Sequence, residues 1–562
     1  MSPCTVRYLS DPLLHQTANA RGENYWYAYI VDVLEQVGVT AAPIGRRDLS
    51  ARGLEGVRVL ILPDLAAGYL AAESVAALSR WVAEGGLLIG LATQGLDELF
   101  GLEDMGRIEQ PGDPWTCSAT CVLTDPELAR PLYNAETADA PLLCISPVRL
   151  VQGMGRELAR LLSVDGDDLG SPAVSLRPVE EGFACYFAFD LCRTVWALHQ
   201  GRPIDADHDG DGYFRMSDAI VIRPFRIDVP YADLLVLLLR NVISLSGLSF
   251  IHWLPPTEDG RVPDALFYYG GDDEAAEGTQ VPASDFMRQQ GLPYHFNLMP
   301  HPDGTFGLTK AEHELIRANG HETSLHFNYI EGHEHPYAFT ESDIRKQVQW
   351  YRRTFTETPV CSVFHWTLWH GWSEPAEWMA TLGLQADNSR IHAGSPPVNP
   401  VDLCGYSFGT ALPFWYRSDT RRGNRRVDFL SEQIVAYECG YKAGEGASFD
   451  QLHRAIRDAA YWHLSCDMFW HPVNVAGRPE CREAIVEHLR YIGELGILAV
   501  HMGNDELNNW WRARSAAIVE ETVEGVKVTC DWPAGCILVR RSEEGKQELG
   551  GRWEYRVVKS QG

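Results

Sequence analysis

The sequence predicts an α/β fold, in which strands and helices alternate along most of the chain. Residues 57–62 and 87–91 are short apolar runs of strand length, and the stretch between them, 71–84, carries apolar residues at helical spacing. A Gly-Gly pair follows this stretch at 85–86, which is typical of a helix C-terminus. Because buried parallel strands are nearly continuous apolar runs, this order predicts a doubly wound, flavodoxin-like sheet in the N-terminal part.

Two breaks in composition divide the chain of 562 residues, which is too long for one hydrophobic core. The first is a proline- and glycine-rich stretch at 255–260, and the second follows residue 514, where strand-like segments alternate with turn residues. We therefore predict an N-terminal α/β domain over 1–254, a central (β/α) barrel over 263–514 and a small C-terminal β segment over 515–562.

The charge and the cysteines restrict the partners and the compartment. The formal net charge is −28, from 76 acidic and 48 basic residues, and such a surface repels nucleic acids and anionic membranes. No apolar run reaches the length of a membrane span, and no leader segment is visible at the N-terminus. The 13 cysteines contain no CxxC pair, which favours reduced thiols. These features predict a cytoplasmic protein that binds neither nucleic acid nor membrane.

Acidic and histidine side chains follow the predicted strands of the central domain. Asp272 and Asp273 close the apolar run 265–271, His326 ends a short strand, and His365 and His471 follow two further apolar runs. Barrels of this class assemble their sites at the carboxyl ends of the strands. One carboxylate and two imidazoles with an open position form the ligand set of a catalytic divalent cation, most often Zn²⁺.

The order of these motifs resembles the polysaccharide deacetylase family with the NodB-homology domain, over about residues 263–514. The resemblance implies that Asp272 is the general base, that Asp273 and His326 bind Zn²⁺ or another divalent metal, and that His471 is the general acid. It also implies a metal-dependent hydrolase that removes an acyl group, such as acetyl, from an amino sugar or related carbohydrate.

The chain departs from the family pattern at two places. Ile330 occupies the position of the second metal-binding histidine, so that ligand is expected at His335, which precedes a proline, or otherwise at His333. The arginine that orients the catalytic aspartate is absent from the segment 364–366. His365 is expected to replace this arginine in the catalytic site or to serve as the third metal ligand.

A carbohydrate substrate is also consistent with the tryptophans of this domain, because aromatic faces stack on sugar rings. Four of them crowd one stretch, namely Trp366, Trp369, Trp372 and Trp378. Two alternatives remain open. One is a glycoside hydrolase that acts on an oligosaccharide through a carboxylate pair, Asp272 with Asp387 or Glu322. The other is a carbohydrate-binding protein whose catalytic site has decayed.

The N-terminal segment 60–90 resembles class I glutamine-amidotransferase-like domains. Active members of that family carry a nucleophilic cysteine after the last strand of this segment, where this chain has Ala92 and Thr93. The resemblance therefore implies a scaffolding or assembly role without amidotransferase chemistry, and we expect a homo-oligomer.

A separate acidic loop at 207–218 matches the spacing of calcium-binding loops. Oxygen ligands at positions 1, 3, 5, 7 and 12, with glycine at position 6, are typical of a Ca²⁺ site. The corresponding residues here are Asp207, Asp209, Asp211, Tyr213 and Asp218, with Gly212 at the turn. The loop resembles EF-hand and dockerin-type loops, although an aspartate replaces the usual glutamate at position 12. An acidic surface loop, or a loop that contacts substrate at a neighbouring active site, are the alternatives.

Overall fold

The computed structural model describes residues 4–110, 112–222, 225–333, 339–392, 403–441, 448–522, 525–542 and 552–559. The chain forms two compact units, each built from separate segments. The first comprises Met1–Leu198, Tyr231–Trp253 and Arg514–Gly562, and the second comprises His199–Pro230 and Leu254–Ala513. The acidic loop 207–218 therefore belongs to the second unit, and the C-terminal segment belongs to the first.

The described strands, numbered in chain order, are β1 (Val6–Leu9), β2 (Ala41–Ile44), β3 (Val59–Leu62), β4 (Leu87–Leu91), β5 (Leu102–Ile108), β6 (Ala119–Leu123), β7 (Leu142–Cys144), β8 (Val148–Gly153), β9 (Arg156–Leu162), β10 (Asp168–Val179), β11 (Gly182–Phe187), β12 (Ser249–Ile251), β13 (Ala265–Asp272), β14 (His295–Leu298), β15 (Glu322–Phe327), β16 (Ser362–Phe364), β17 (Ala386–Arg390), β18 (Phe414–Arg417), β19 (Arg426–Gln433), β20 (Ala436–Tyr437), β21 (Ser465–Phe469), β22 (Ala499–Met502), β23 (Ile518–Thr522), β24 (Gly525–Thr529), β25 (Cys536–Arg541) and β26 (Trp553–Val558).

The described α-helices are α1 (Pro12–Ala20), α2 (Ile30–Val37), α3 (Ala72–Ala83), α4 (Asp97–Phe100), α5 (Pro126–Leu132), α6 (Leu191–Gln200), α7 (Tyr231–Ile243), α8 (Gln280–Gln289), α9 (Lys310–Ala318), α10 (Glu341–Phe355), α11 (Glu374–Thr381), α12 (Asp450–Trp462), α13 (Pro472–Gly477), α14 (Pro479–Leu495) and α15 (Asn504–Ser515).

The first unit is organised around a nine-stranded sheet of order β2-β1-β3-β4-β11-β10-β9-β6-β7. Five of its strands are parallel to one another, namely β2, β1, β3, β4 and β11. The other four, β10, β9, β6 and β7, pair antiparallel with their neighbours. The elements β3, α3 and β4 confirm the predicted strand–helix–strand at 57–91. The C-terminal strands were also predicted from the sequence, and β25 pairs with β12 as well as with β26.

The second unit contains a parallel sheet of order β16-β15-β14-β13-β21-β20, with β22 alongside the first half of β13. Every side chain of the central strand β13 is buried, in keeping with its apolar sequence. Because all the strands run in the same direction, their carboxyl ends lie along one edge of the sheet. The structure thus confirms the α/β class and a parallel sheet in the central part of the chain.

A glycine pair lies near the end of β13. Gly270 and Gly271 remain within the strand. A Cβ atom on Gly271 would collide with the carbonyl oxygen of Trp470, and one on Gly270 would lie 3.0 Å from Oδ1 of Asn504. The absence of side chains therefore allows close approach of neighbouring segments, and the chain turns only after Asp273.

In the described parts of the chain, no helix combines the length and the apolar composition needed to cross a bilayer. Cytoplasmic location and self-assembly stay predictions.

Candidate active site

Six ionisable side chains meet at the carboxyl edge of the parallel sheet in the second unit. They lie near the carboxyl ends of five of its strands: Asp272 ends β13 and Glu274 follows it, His326 is in β15, His365 follows β16, Glu438 follows β20 and His471 follows β21. Four of these were predicted from the sequence, and the two glutamates were not. Such a concentration of carboxylates and imidazoles at strand ends is a catalytic candidate.

Asp272 is a buried carboxyl group of this site. Its Oδ1 accepts a hydrogen bond of 2.9 Å from Nδ2 of Asn297, and its Oδ2 lies 3.5 Å from Nε2 of His326. Burial raises the pKa of the Asp272 carboxyl well above its usual value, and the negative charges of Glu274 and Asp273 add to the rise. The environment of Asp272 therefore favours the neutral acid over the carboxylate.

Glu274 lies between two imidazoles. Its Oε2 is 3.1 Å from Nε2 of His365, and its Oε1 is 3.3 Å from Nε2 of His471. Burial alone would raise the pKa of Glu274, but the hydrogen bonds from these histidines outweigh it and hold the pKa well below its usual value. The side chain is 33% exposed, so the carboxylate is partly accessible to solvent.

His471 forms a buried pair with Glu438. Oε1 of Glu438 accepts the ring Nδ1–H of His471, and it also accepts the backbone N–H of His471 at 2.9 Å. Burial opposes protonation of the imidazole, but the contacts with Glu438 and Glu274 raise its pKa to about 10. His471 is therefore an imidazolium at neutral pH, held by one glutamate and directed at the other.

His326 and His365 complete the cluster. His326 is fully buried, and neither of its ring nitrogens has a hydrogen-bond partner among the described residues. Burial and the neighbouring His365 lower the pKa of His326 to about 3, so its ring is neutral. One atom each of Glu274, His326 and His365 lie within 4.8 Å of one another. This donor set could hold a divalent cation such as Zn²⁺.

Asp273 does not join this cluster. Its Oδ1 accepts the backbone N–H groups of Ala275 at 3.1 Å and Met299 at 2.8 Å, and its Oδ2 accepts a hydrogen bond of 2.9 Å from Gln280. The predicted metal ligand therefore closes the turn after β13, which is the common local use of an aspartate at a strand end. Burial raises its pKa to about 6.

The other predicted residues lie elsewhere. His335 falls outside the described residues, and the ring of His333 packs 5.5 Å from that of Tyr329. Asp387 is fully buried and accepts hydrogen bonds from Ser362 and Ser389, whereas Glu322 begins β15, at the opposite edge of the sheet. Neither acid can therefore pair with Asp272, and Glu274 is the carboxylate beside it.

Trp366 stands at the rim of the cluster. It follows His365 directly, its side chain is 45% exposed, and its ring centroid lies 5.9 Å from that of His365. The backbone adopts positive φ angles at Trp366 (56°) and Thr367 (53°), a conformation that is costly for non-glycine residues and concentrates at functional sites. The side chain of Trp366 is thus partly exposed beside the site, while Trp369 and Trp372 are buried.

The acidic loop 207–218 brings three of its predicted ligands together. Ligand oxygens of Asp207, Asp209 and Asp218 lie within 4.8 Å of one another, but Asp211 is paired with Arg215. The ring of Tyr213 packs against Trp366 with centroids 5.0 Å apart, which links the loop to the rim of the active site. Calcium binding by this loop stays a prediction.

No protein-family model matches the chain, and no protein of curated function matches it. Among solved structures, it is similar to a β-galactosidase from Bacillus circulans sp. alkalophilus (13% identity, 35% of this chain, 30% of that protein, TM-score 0.27). Gan42B, a GH42 β-galactosidase from G. stearothermophilus, matches at 17% identity over 34% of this chain and 28% of its own length, with a TM-score of 0.26. The exo-β-1,4-mannosidase Op5Man5 from Opitutaceae bacterium strain TAV5 matches at 14% identity over 34% of this chain and 32% of its own, with a TM-score of 0.20.

These neighbours correct the expected family. They are glycoside hydrolases rather than deacetylases, so the resemblance to the polysaccharide deacetylase family is wrong, and the amidotransferase-like assignment of the N-terminal part is not confirmed. The chain covers less than a third of each of the three proteins, and at these TM-scores the function has to be inferred from the geometry of the site.

Proposed function

We propose that the protein is a glycoside hydrolase in which Asp272 and Glu274 are the catalytic carboxyl pair. One observation carries this proposal: oxygen atoms of the two carboxyl groups lie within 4.8 Å of each other, in one cluster with His471 at the strand ends. Hydrolysis of a glycosidic bond needs two carboxyl groups that flank the bond and act differently. Here the two have different partners, an amide for Asp272 and two imidazoles for Glu274.

The groups around each carboxyl indicate its role in the proposed reaction. Asp272 is buried against Asn297 and is the proton donor to the glycosidic oxygen, because its environment favours the neutral acid. Glu274 is ionised and partly exposed, so its carboxylate attacks the anomeric carbon. Retaining enzymes place their carboxyl groups about 5–5.5 Å apart and inverting enzymes about 6.5–9.5 Å apart. One oxygen of each carboxyl group lies within 4.8 Å of the other, which is nearer to the first arrangement, and we therefore propose retention of configuration.

The histidines position the nucleophile. His365 and His471 contact different oxygens of Glu274, which fixes the rotation of its carboxylate, and Glu438 in turn fixes the ring of His471. Such support is what a reacting group needs to be held in a productive orientation.

The carbohydrate substrate is supported by Trp366. A large, exposed indole beside catalytic carboxylates offers an apolar face for a sugar ring and a polar edge for its hydroxyl groups. Its strained backbone indicates that this placement is maintained at a cost.

The test is hydrolysis of a panel of aryl glycosides by the wild-type protein and by Glu274→Gln. Glu277→Gln is the matched control, because Glu277 is an exposed glutamate three residues further along the same loop. We expect turnover of at least one glycoside by the wild type and by the control, with retained anomeric configuration, and loss of turnover in Glu274→Gln. Equal activity of both variants would refute the assignment.

A second candidate is a metal-dependent hydrolase of carbohydrates, which the buried and unpartnered nitrogens of His326 favour. Glu274, His326 and His365 would hold Zn²⁺, which when bound supplies an activated water. Asp272 would then accept a proton. Metal content distinguishes the two functions: a metal lost in His326→Ala, and required for turnover by the wild type, would favour this candidate over the carboxylate pair.

A further inference from the structure

We propose that the second unit contains a separate structural zinc site beside the amino ends of β14 and β16, formed by His295, Cys361 and Asp505, with Glu432 next to the thiol of Cys361. The site lies at the opposite edge from the catalytic cluster and shares no residue with it. A soft thiolate, an imidazole and carboxylates together are a ligand set that suits Zn²⁺ and not Ca²⁺ or Mg²⁺. The proposal does not depend on the hydrolase reaction.

The four side chains come from distant parts of the chain. His295 begins β14, Cys361 directly precedes β16, Asp505 lies in the first turn of α15, and Glu432 is in β19. Ligand atoms of His295, Cys361 and Asp505 lie within 4.8 Å of one another. A local turn motif cannot explain this gathering, because no two of the four are neighbours in sequence.

Two distances between these side chains are close to those between neighbouring ligands of zinc. Nε2 of His295 lies 3.2 Å from Oδ1 of Asp505, and Sγ of Cys361 lies 3.9 Å from Oε1 of Glu432. Zinc bonds of about 2.0–2.3 Å place neighbouring ligand atoms roughly 3.3–3.8 Å apart in a tetrahedron. A cation could therefore be accommodated by small movements of side chains that already face one another.

Burial and charge also indicate a cation. Cys361 and Glu432 are fully buried, and His295 is 1% exposed with its Nδ1 unpartnered. Within the described ranges, no lysine or arginine forms an ion pair with Glu432, with Asp505 or with the adjacent Glu322. Glu432 is fully buried, and a buried carboxylate without a counter-charge is costly. A divalent cation would supply that charge.

Hydrogen bonds also hold the residues around the proposed ligands in place. Nδ2 of Asn504 donates a hydrogen bond of 2.9 Å to Oε2 of Glu432, which leaves Oε1 directed towards Cys361. Glu322 accepts the backbone N–H groups of Asp505 at 2.9 Å and Glu506 at 3.0 Å, which fixes the start of α15. Support of this kind is typical of metal sites and indicates a structural role, namely to join α15 to the sheet.

Cobalt substitution of the full-length protein tests the proposal, because Co²⁺ bound to a thiolate shows a charge-transfer absorption in the near ultraviolet. The catalytic cluster contains no cysteine, so this absorption does not report on that cluster, and the cysteine variants show which thiol is bound. We expect it in the wild type, and we expect it to be lost in Cys361→Ser and kept in Cys466→Ser, a buried cysteine of β21 in the same sheet.

Two results would overturn the proposal. One is a Co²⁺-loaded wild-type protein without the thiolate absorption, which is decisive whether or not the variants fold. The other is an unchanged absorption in Cys361→Ser.

Discussion

The carboxylate of Glu274 lies 3.1 Å from Nε2 of His365, although the two residues leave from strands at the centre and at the end of the parallel sheet. This contact directs Glu274 into the cluster, whereas the preceding Asp273 turns back to bind backbone N–H groups. The proposed chemistry of the site therefore depends on Glu274, the residue directly after the pair Asp272 and Asp273.

Replacing the proposed proton donor should affect substrates according to their leaving groups. Asp272→Asn should lower kcat by about 10²- to 10⁴-fold on glycosides with poor leaving groups, which is the usual contribution of general acid catalysis. Glycosides of acidic phenols should lose much less, because their departure needs no proton. Steady-state kinetics on aryl glycosides of graded phenol acidity measures this, and an equal loss across the series would contradict the role of Asp272.

Removing the charge of Glu438 should change the protonation of His471. The ring of His471 contacts Oε1 of Glu438, and this contact and Glu274 raise its pKa to about 10 against the effect of burial. Glu438→Gln should shift the titration of this imidazole to lower pH, and the variant should lose activity at alkaline pH first. An NMR titration of His471 checks the shift. An unchanged midpoint would show that Glu438 does not govern the imidazolium.

Shortening Trp366 should weaken substrate binding without destabilising the fold, because its side chain is 45% exposed. We expect Trp366→Ala to raise KM about 2- to 10-fold, the range that corresponds to about 0.5–1.5 kcal/mol of aromatic interaction. Trp366→Phe should retain most of the affinity. A changed Tm with an unchanged KM would instead indicate a packing role.

The contacts of Glu357 predict how the stability of the fold changes with pH. It lies 3.2 Å from Nε2 of His313 and accepts a hydrogen bond of 2.9 Å from Tyr351, and these contacts outweigh burial and lower its pKa to about 2. A depressed carboxyl pKa stabilises the fold above the unfolded value of 4.5, and this contribution is lost as the pH falls towards 2.

Glu357→Gln should therefore have a lower Tm than the wild type near pH 6, and the difference should shrink between pH 4.5 and about 2. Glu314→Gln, at an exposed position of the neighbouring α9, is the control and should show no such trend. Thermal unfolding across this pH range measures both. A constant difference between Glu357→Gln and the wild type would contradict the pairing.

Local patterns in the sequence were sufficient for much of the fold. The apolar runs at 57–62 and 87–91 and the helical stretch between them correspond to β3, β4 and α3, because buried parallel strands and amphipathic helices impose different periods on the chain. The gathering of Asp272, His326, His365 and His471 followed from their positions at strand ends, since parallel strands end at one edge.

The sequence did not indicate Glu274 and Glu438 as site residues, because their placement depends on the backbone conformation. Glu274 and Glu438 both have positive φ angles, 54° and 51°, and each follows the end of a strand. The strand before Glu438 spans only Ala436–Tyr437 and has no pattern of its own. The only local signal was an acid directly after the apolar run 434–437. The cluster of His295, Cys361 and Asp505 likewise depends on sheet order, which no local pattern shows.

Covalent labelling tests the catalytic role of Glu274 most directly. A panel of activated 2-deoxy-2-fluoroglycosides slows the second step of a retaining hydrolase, so the glycosyl group remains on the nucleophile. Mass spectrometry of the digested protein should find one sugar adduct on the peptide that contains Glu274, and none in Glu274→Gln. Turnover of a glycoside without an adduct at Glu274, or an adduct on another residue, would contradict the proposed carboxyl pair.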